Sequence, residues 1–184
     1  MQKESRDIMN KAIAEIHDVN DVLSYDVDTN KRIRFPRGFL RTLKVYRSYF
    51  SFIEDTIIKD RVAKHMMHRD TLHWLWLKTD IAADAREMIV KFQLINLASI
   101  LEATVKNLKP KMPKKKDNVY ERIDLLQEED IISNGGELKA LWAARNTIHL
   151  HLSGGKEEVK FSDENYKAWH RAMGKMIEDL KGKK

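Results

Sequence analysis

Leu141-Trp142-Ala143-Ala144-Arg145-Asn146-Thr147-Ile148-His149-Leu150-His151-Leu152 is the stretch on which the reading of this chain turns. Leu138, Leu141, Trp142, Arg145, Ile148 and Leu152 recur at spacings of three and four, the period of an amphipathic helix. Yet Arg145, Asn146, His149 and His151 crowd together near its end. A guanidinium presents a planar fork of donors that fits a phosphate. An imidazole gives or takes a proton near neutral pH. A carboxamide can hold either one in place. Together these are the parts needed to cleave a phosphodiester without a metal.

Working outward, Ser133-Asn134-Gly135-Gly136 reads as a break, so the helix should span Glu137 to about His151, closed by Ser153-Gly154-Gly155. Downstream, Ser162-Asp163-Glu164-Asn165 caps a last helix carrying Tyr166, Trp169, Met173, Ile177 and Leu180, with a frayed tail from Lys181 to Lys184. Upstream lies the longest helix, Ile81 to Leu108, with Asp80 as its N-cap. Met88, Ile89, Phe92, Ile95, Leu97, Ala98, Leu101, Val105 and Leu108 give it a wide apolar surface, which places it at the centre of a bundle. Asn96, Ser99 and Glu102 interrupt that surface at three-residue spacing and share one face. A shorter helix is expected over Val119 to Ile132.

Between these helices, Lys109 to Asp117 contains Pro110 and Pro113, which stop helix propagation. Its lysines repel one another and favour a loop. Lys111, Lys114, Lys115 and Lys116 read either as solvated charge or as a phosphate-steering arm. In the first 79 residues the apolar spacing predicts helices over 4–24 and from Pro36 to about Lys59. Residues 60–78 read as helix, with a short strand over Leu72 to Leu77 as the alternative. His65, His68 and His73 fit surface positions on a helix better than a metal site. His17 and His170 stand alone and read as surface or interface residues.

The balance of residue types agrees with helices. With only 7 Gly and 3 Pro in 184 residues there are few turns, which favours long helices over many short strands. Cysteine is absent, which excludes disulfides, thiolate metal sites and a cysteine nucleophile and fits a cytoplasmic chain. No signal-peptide core opens the sequence, and no run approaches the roughly 20 apolar residues of a membrane span. Glycine-rich phosphate loops and serine elbows are missing, so no cofactor is expected. A net charge of +6 favours an anionic partner such as nucleic acid.

Arg145-Asn146-Thr147-Ile148-His149-Leu150-His151, late in one helix and followed by one more, resembles the signature of the HEPN superfamily. Those are small helical-bundle proteins, many of them ribonucleases, marked by an Arg, a neighbouring polar residue and a His four to six residues on. His151 fits that window and His149 falls short of it. The commonest spacing would put the histidine at 150, where Leu150 stands, so the working imidazole is open between the two. The segment Leu94 to Ala103 likewise resembles the superfamily's first core helix, where a polar or acidic side chain, here Glu102, can point toward the active pocket. The resemblance implies a homodimer with a composite cleft, metal-independent cleavage of RNA through its 2′-OH, and a possible toxin or antiviral-defence role with an antitoxin or regulatory partner.

The phase of the helix complicates the site. On a regular helix Arg145 and His149 face the same way, while His151 is turned about 120° from Arg145. Either the helix ends early and His151 swings, or two copies build the site between them. The bland alternative is that Arg145 pairs with Glu102 or Glu137 and that a histidine merely sits at a helix end. The expectation is an all-α, up-and-down bundle of about six helices. Its HEPN-like domain should cover 80–181, with 1–79 as a helical extension packed on it. A non-catalytic dimer that binds RNA or a protein is the competing function.

Overall fold

The computed structural model describes residues 7, 8, 11, 39–79, 81, 83–108, 118–148 and 161–182. Among these every regular element is helical, and the protein is an all-α bundle. The chain divides into two compact units, Met1–Phe35 and Pro36–Lys184. In the first, Asp7, Ile8 and Lys11 are helical, and the rest of the helix expected over 4–24 lies outside the described residues. The second unit holds six helices: α1 (Leu43–Tyr49), α2 (Thr56–Lys78), α3 (Ala83–Asn107), α4 (Val119–Glu128), α5 (Gly135–Asn146) and α6 (Asp163–Gly182).

The helix expected from Pro36 to Lys59 is cut in two. Phe50 and Ile53 are both fully buried, and the chain turns between α1 and α2 with both of them inward. Tight backbone bonds make that turn, from Phe50 N to Arg47 O and from Ile53 N to Phe50 O, each 3.1 Å. Asp55 then starts α2 afresh, its carboxylate accepting from Ile57 N at 2.8 Å and Ile58 N at 3.1 Å. From there α2 runs unbroken through Leu72 to Leu77, so the strand alternative does not form. Helix α2 lies antiparallel to α3. Arg86, early in α3, donates to the Trp76 carbonyl late in α2, while the His65 ring bonds Asn96 a few turns away.

Two features that read as breaks have other uses. Gly135 and Gly136 form the first turn of α5. A Cβ at Gly135 would fall 3.1 Å from the Ile123 side chain and closer still to Gln127, so glycine lets α5 come up against α4. Helix α4 stops at Glu128 and not at Ile132, closed by Asp130 at a φ of 52°. Asp130 N bonds Gln127 O at 3.0 Å and Ile131 N bonds Leu126 O at 2.8 Å, the paired closure of a Schellman end. Ile131 thereby folds back against the core. At the other end of the chain, α6 opens with Asn165 N bonded to Ser162 Oγ at 3.3 Å. It stays helical through Lys181 and Gly182, where fraying was expected.

Helix α3 is the hub. Val90, Leu94, Leu97, Ala98, Ile100, Leu101 and Val105 are all buried on it. It has the length and apolar character of a membrane span, but more than half of it is buried inside the bundle, as in the core helix of a folded domain. Not all of its apolar positions turn inward: Met88, Phe92 and Ile95 are exposed. Its C-terminal end is closed by Arg122 of α4, whose fully buried guanidinium donates from Nε to Val105 O at 2.9 Å and from Nη2 to Leu108 O at 2.5 Å. A cation at this end also meets the negative pole of the helix.

Arg122→Met keeps the bulk but leaves those carbonyls without donors in a dry interior. The expected loss is about 2–4 kcal/mol of unfolding free energy, measured by urea denaturation.

Candidate functional site

Helix α5 ends where the sequence concentrates its chemistry. Thr147 N bonds Ala144 O at 3.2 Å and Ile148 N bonds Arg145 O at 3.1 Å, tightening the last turn. The Thr147 hydroxyl donates to Ala144 O at 2.7 Å and helps terminate the helix. Ile148 then packs, half-buried, against the core. The helix thus stops at Asn146 and does not run to His151.

Arg145 and Asn146 are brought together in that final turn. The guanidinium donates from Nη1 to Asn146 Oδ1 at 3.2 Å and lies over the Trp142 ring, 5.1 Å from its centroid. Both residues are half-buried. Neither of the two carboxylates expected as partners reaches Arg145. Glu102 binds Lys106 at 3.0 Å, and Glu137 accepts from Asn134 Nδ2 at 3.1 Å. Among the described residues, no carboxylate neutralises Arg145. His149, His151, Lys111, Lys114, Lys115 and Lys116 lie outside the described residues.

A second polar cluster joins α2 to α6 across nearly 100 residues of sequence, and periodicity gave no sign of it. His73 Nδ1 and the Tyr166 hydroxyl are 2.7 Å apart, and the His73 ring lies nearly parallel to that of His170, 5.6 Å between centroids. Beside them Asp70 accepts from the Tyr46 hydroxyl at 2.6 Å and pairs with Arg69. One turn along α2, Trp76 Nε1 donates to Asp163 at 2.7 Å, and Arg86 grips the same carboxylate at 2.7 Å. Those donors, Arg86 first, hold the Asp163 carboxyl below the usual range. The histidines therefore do not converge on a metal. His65 is committed to Asn96 and His73 to Tyr166, and among the described residues no group of three His, Cys, Asp or Glu side chains could hold one.

Electrostatics differ between the two clusters. Burial, reinforced by the Arg69 charge, pushes His170 down to about 4 and lowers His73 as well. A group with a pKa of about 4 is protonated only about once in a thousand at pH 7, which makes it a poor general acid. Burial also raises the Tyr166 hydroxyl, so it stays protonated and available for the bond to His73. This cluster fastens helices together. The end of α5 instead presents a permanent cation at a helix terminus with a carboxamide beside it, an arrangement able to bind a phosphate. No family model matches the chain, and no curated protein or solved structure matches it.

The two imidazoles make stability depend on pH. His170 holds fewer protons folded than unfolded between about 4 and 6.5. Its contribution is therefore complete above 6.5 and is lost as pH falls through that window. His170→Gln should flatten the fall in Tm between pH 7 and pH 4.5, followed by circular dichroism.

Proposed function

We propose that this protein is a metal-independent endoribonuclease of the HEPN type, acting on RNA as a cytoplasmic homodimer. One observation carries the reading: Arg145, half-buried at the end of α5, is held by Trp142 and Asn146 with no described carboxylate to neutralise it. Arg86, by contrast, is held in an ion pair with Asp163. An arginine steadied by an aromatic face and an amide keeps its charge available for an anion.

The chemistry follows from that charge. A histidine, His151 first and His149 second, takes the proton of the ribose 2′-OH, and the 2′-oxygen attacks the adjacent phosphorus. The P–O5′ bond breaks, the 5′-oxygen leaves with a proton, and the other fragment ends in a 2′,3′-cyclic phosphate. Arg145 faces the charge that builds on the non-bridging oxygens, and Asn146 fixes the guanidinium or the phosphate. Glu102, held by Lys106, has no part in this scheme. Lys111, Lys114, Lys115 and Lys116 supply salt-dependent affinity for the strand. The net charge of +6 supports a nucleic-acid substrate, and an antitoxin or regulatory protein fits a chain whose unchecked activity would harm its cell.

The test is cleavage of single-stranded RNA in EDTA, with the ends analysed for cyclic phosphate. Arg145→Ala should lower the rate about 100- to 1,000-fold. His151→Ala should abolish it, and a 2′-deoxy substitution at the scissile nucleotide should block it. Binding without cleavage would make the protein an RNA-binding module instead, and cleavage that survives Arg145→Ala would remove the site.

A further inference from the structure

The longest helix of the bundle leaves one face unused. Met88, Phe92 and Ile95 of α3 are 45%, 49% and 36% exposed, although the rest of the helix's large apolar residues are covered or half-covered. At 100° per residue they fall within one narrow arc, and Asp84, Ser99, Glu102 and Lys106 fall in the same roughly 80° stripe. Read along the helix, the stripe begins with an acid in the first turn, passes through three large apolar groups and a small hydroxyl, and ends with a base in the last turn. Ser99 turns its hydroxyl back to Ile95 O at 2.8 Å, so it offers a low, satisfied surface. Among the described residues, Asp84 has no ion-pair partner.

We infer that this stripe is a homodimer interface in which α3 packs antiparallel against α3 of a second copy. Self-complementarity points to that occupant. A two-fold axis beside Ile95 sets Ile95 against its own copy and Phe92 over the partner's Ser99, a large group above a small one. The same axis brings Met88 to the stem of the partner's Glu102 and Asp84 to the partner's Lys106, where it joins the existing Lys106–Glu102 pair. Asp84 and Lys106 are about 33 Å apart along the helix, so both ends match at once only when the helices run in opposite directions. Parallel pairing would set Asp84 beside Asp84 and Lys106 beside Lys106, with the two helix dipoles aligned, all unfavourable. A lipid surface fits less well. Membrane-surface helices flank their apolar face with an excess of Lys and Arg, whereas here Lys91 and Lys106 are each paired with an acid of the same helix, Glu87 and Glu102, and Asp84 adds a further negative charge. The inference gives the homodimer proposed above its surface but does not need the ribonuclease, because it is read by mass and cross-linking and not by cleavage.

The full-length chain at tens of micromolar should scatter light as twice its 21.6 kDa. Phe92→Asp should weaken dimerisation at least tenfold while leaving the circular dichroism spectrum unchanged. Asp84→Lys and Lys106→Asp should each weaken it, and the two together should restore it, which no folding defect would imitate. Because the sequence has no cysteine, Ile95→Cys should cross-link to its copy under mild oxidation, and Met88→Cys should not. A monomer at 100 µM, a Phe92→Asp protein that stays dimeric, a charge swap without rescue, or faster cross-linking through Met88→Cys each overturns the interface. Monomers that float with anionic vesicles through Phe92 would give the stripe to lipid and overturn it too.

Discussion

A single buried cation holds the end of the central helix. The last carbonyls of an α-helix have no partners within the helix, and those of α3 end inside the protein, away from water. Val105 and Leu108 are both buried. Arg122 resolves this from the facing helix by placing a guanidinium where two of those carbonyls converge. Burying a charge is costly unless it is hydrogen-bonded, and here the helix end supplies both acceptors and the negative pole. The bond fixes the register of α4 against α3. Because Gly135 then admits α5 against α4, the position of Arg145 is set at one further remove.

The rest of the bundle is tied by polar links laid across apolar seams. Each of α1, α2, α3 and α6 gives at least one side chain to the network of Tyr46, Asp70, His73, Trp76, Arg86, Asp163 and Tyr166. Hydrophobic contact alone would let such helices slide by a turn at modest cost. Directional bonds between named partners remove that freedom, since a slip of one turn would strand several buried donors. Keeping His73 and His170 neutral belongs to the same design, for a proton on either would place a charge beside Arg69. Gln93 and Thr104 are exceptions. Both are fully buried, and neither the amide atoms of Gln93 nor the hydroxyl of Thr104 finds a partner among the described residues.

The sequence announced the helices where one period ran long enough, and α3 and α6 were legible for that reason. It failed where a tertiary contact overruled a local signal. Gly135-Gly136 looks like a break because glycine is a poor helix former, and it begins a helix because a neighbouring helix needs the room. Asp130 gives no local sign of ending α4 in a left-handed turn. Met88, Phe92 and Ile95 share the composition of core positions, and only the placement of the other helices shows that nothing in the described unit covers them. The pairing of His73 with His170 spans too much sequence for any local pattern to carry. Of the candidate site, Arg145 and Asn146 were legible as neighbours, while the choice of Glu102 as an aligning group could not foresee Lys106 one turn away on the same helix.

The early end of α5 bears most on the chemistry. Had the helix continued to His151, its phase would have turned that imidazole about 120° from Arg145, and one subunit could not have joined the two. Stopping at Asn146 removes the constraint. Helix α5 itself therefore imposes no fixed phase between Arg145 and a residue beyond its end. The same stop leaves the last-turn carbonyls near Arg145, and their partial negative charge steadies the guanidinium without neutralising it. A cation steadied by dipoles, an amide and an indole face keeps more of its charge for a ligand than one locked to a carboxylate. That difference separates Arg145 from Arg69 and Arg86, each locked to a carboxylate, while Arg122 differs in being fully buried against helix-end carbonyls.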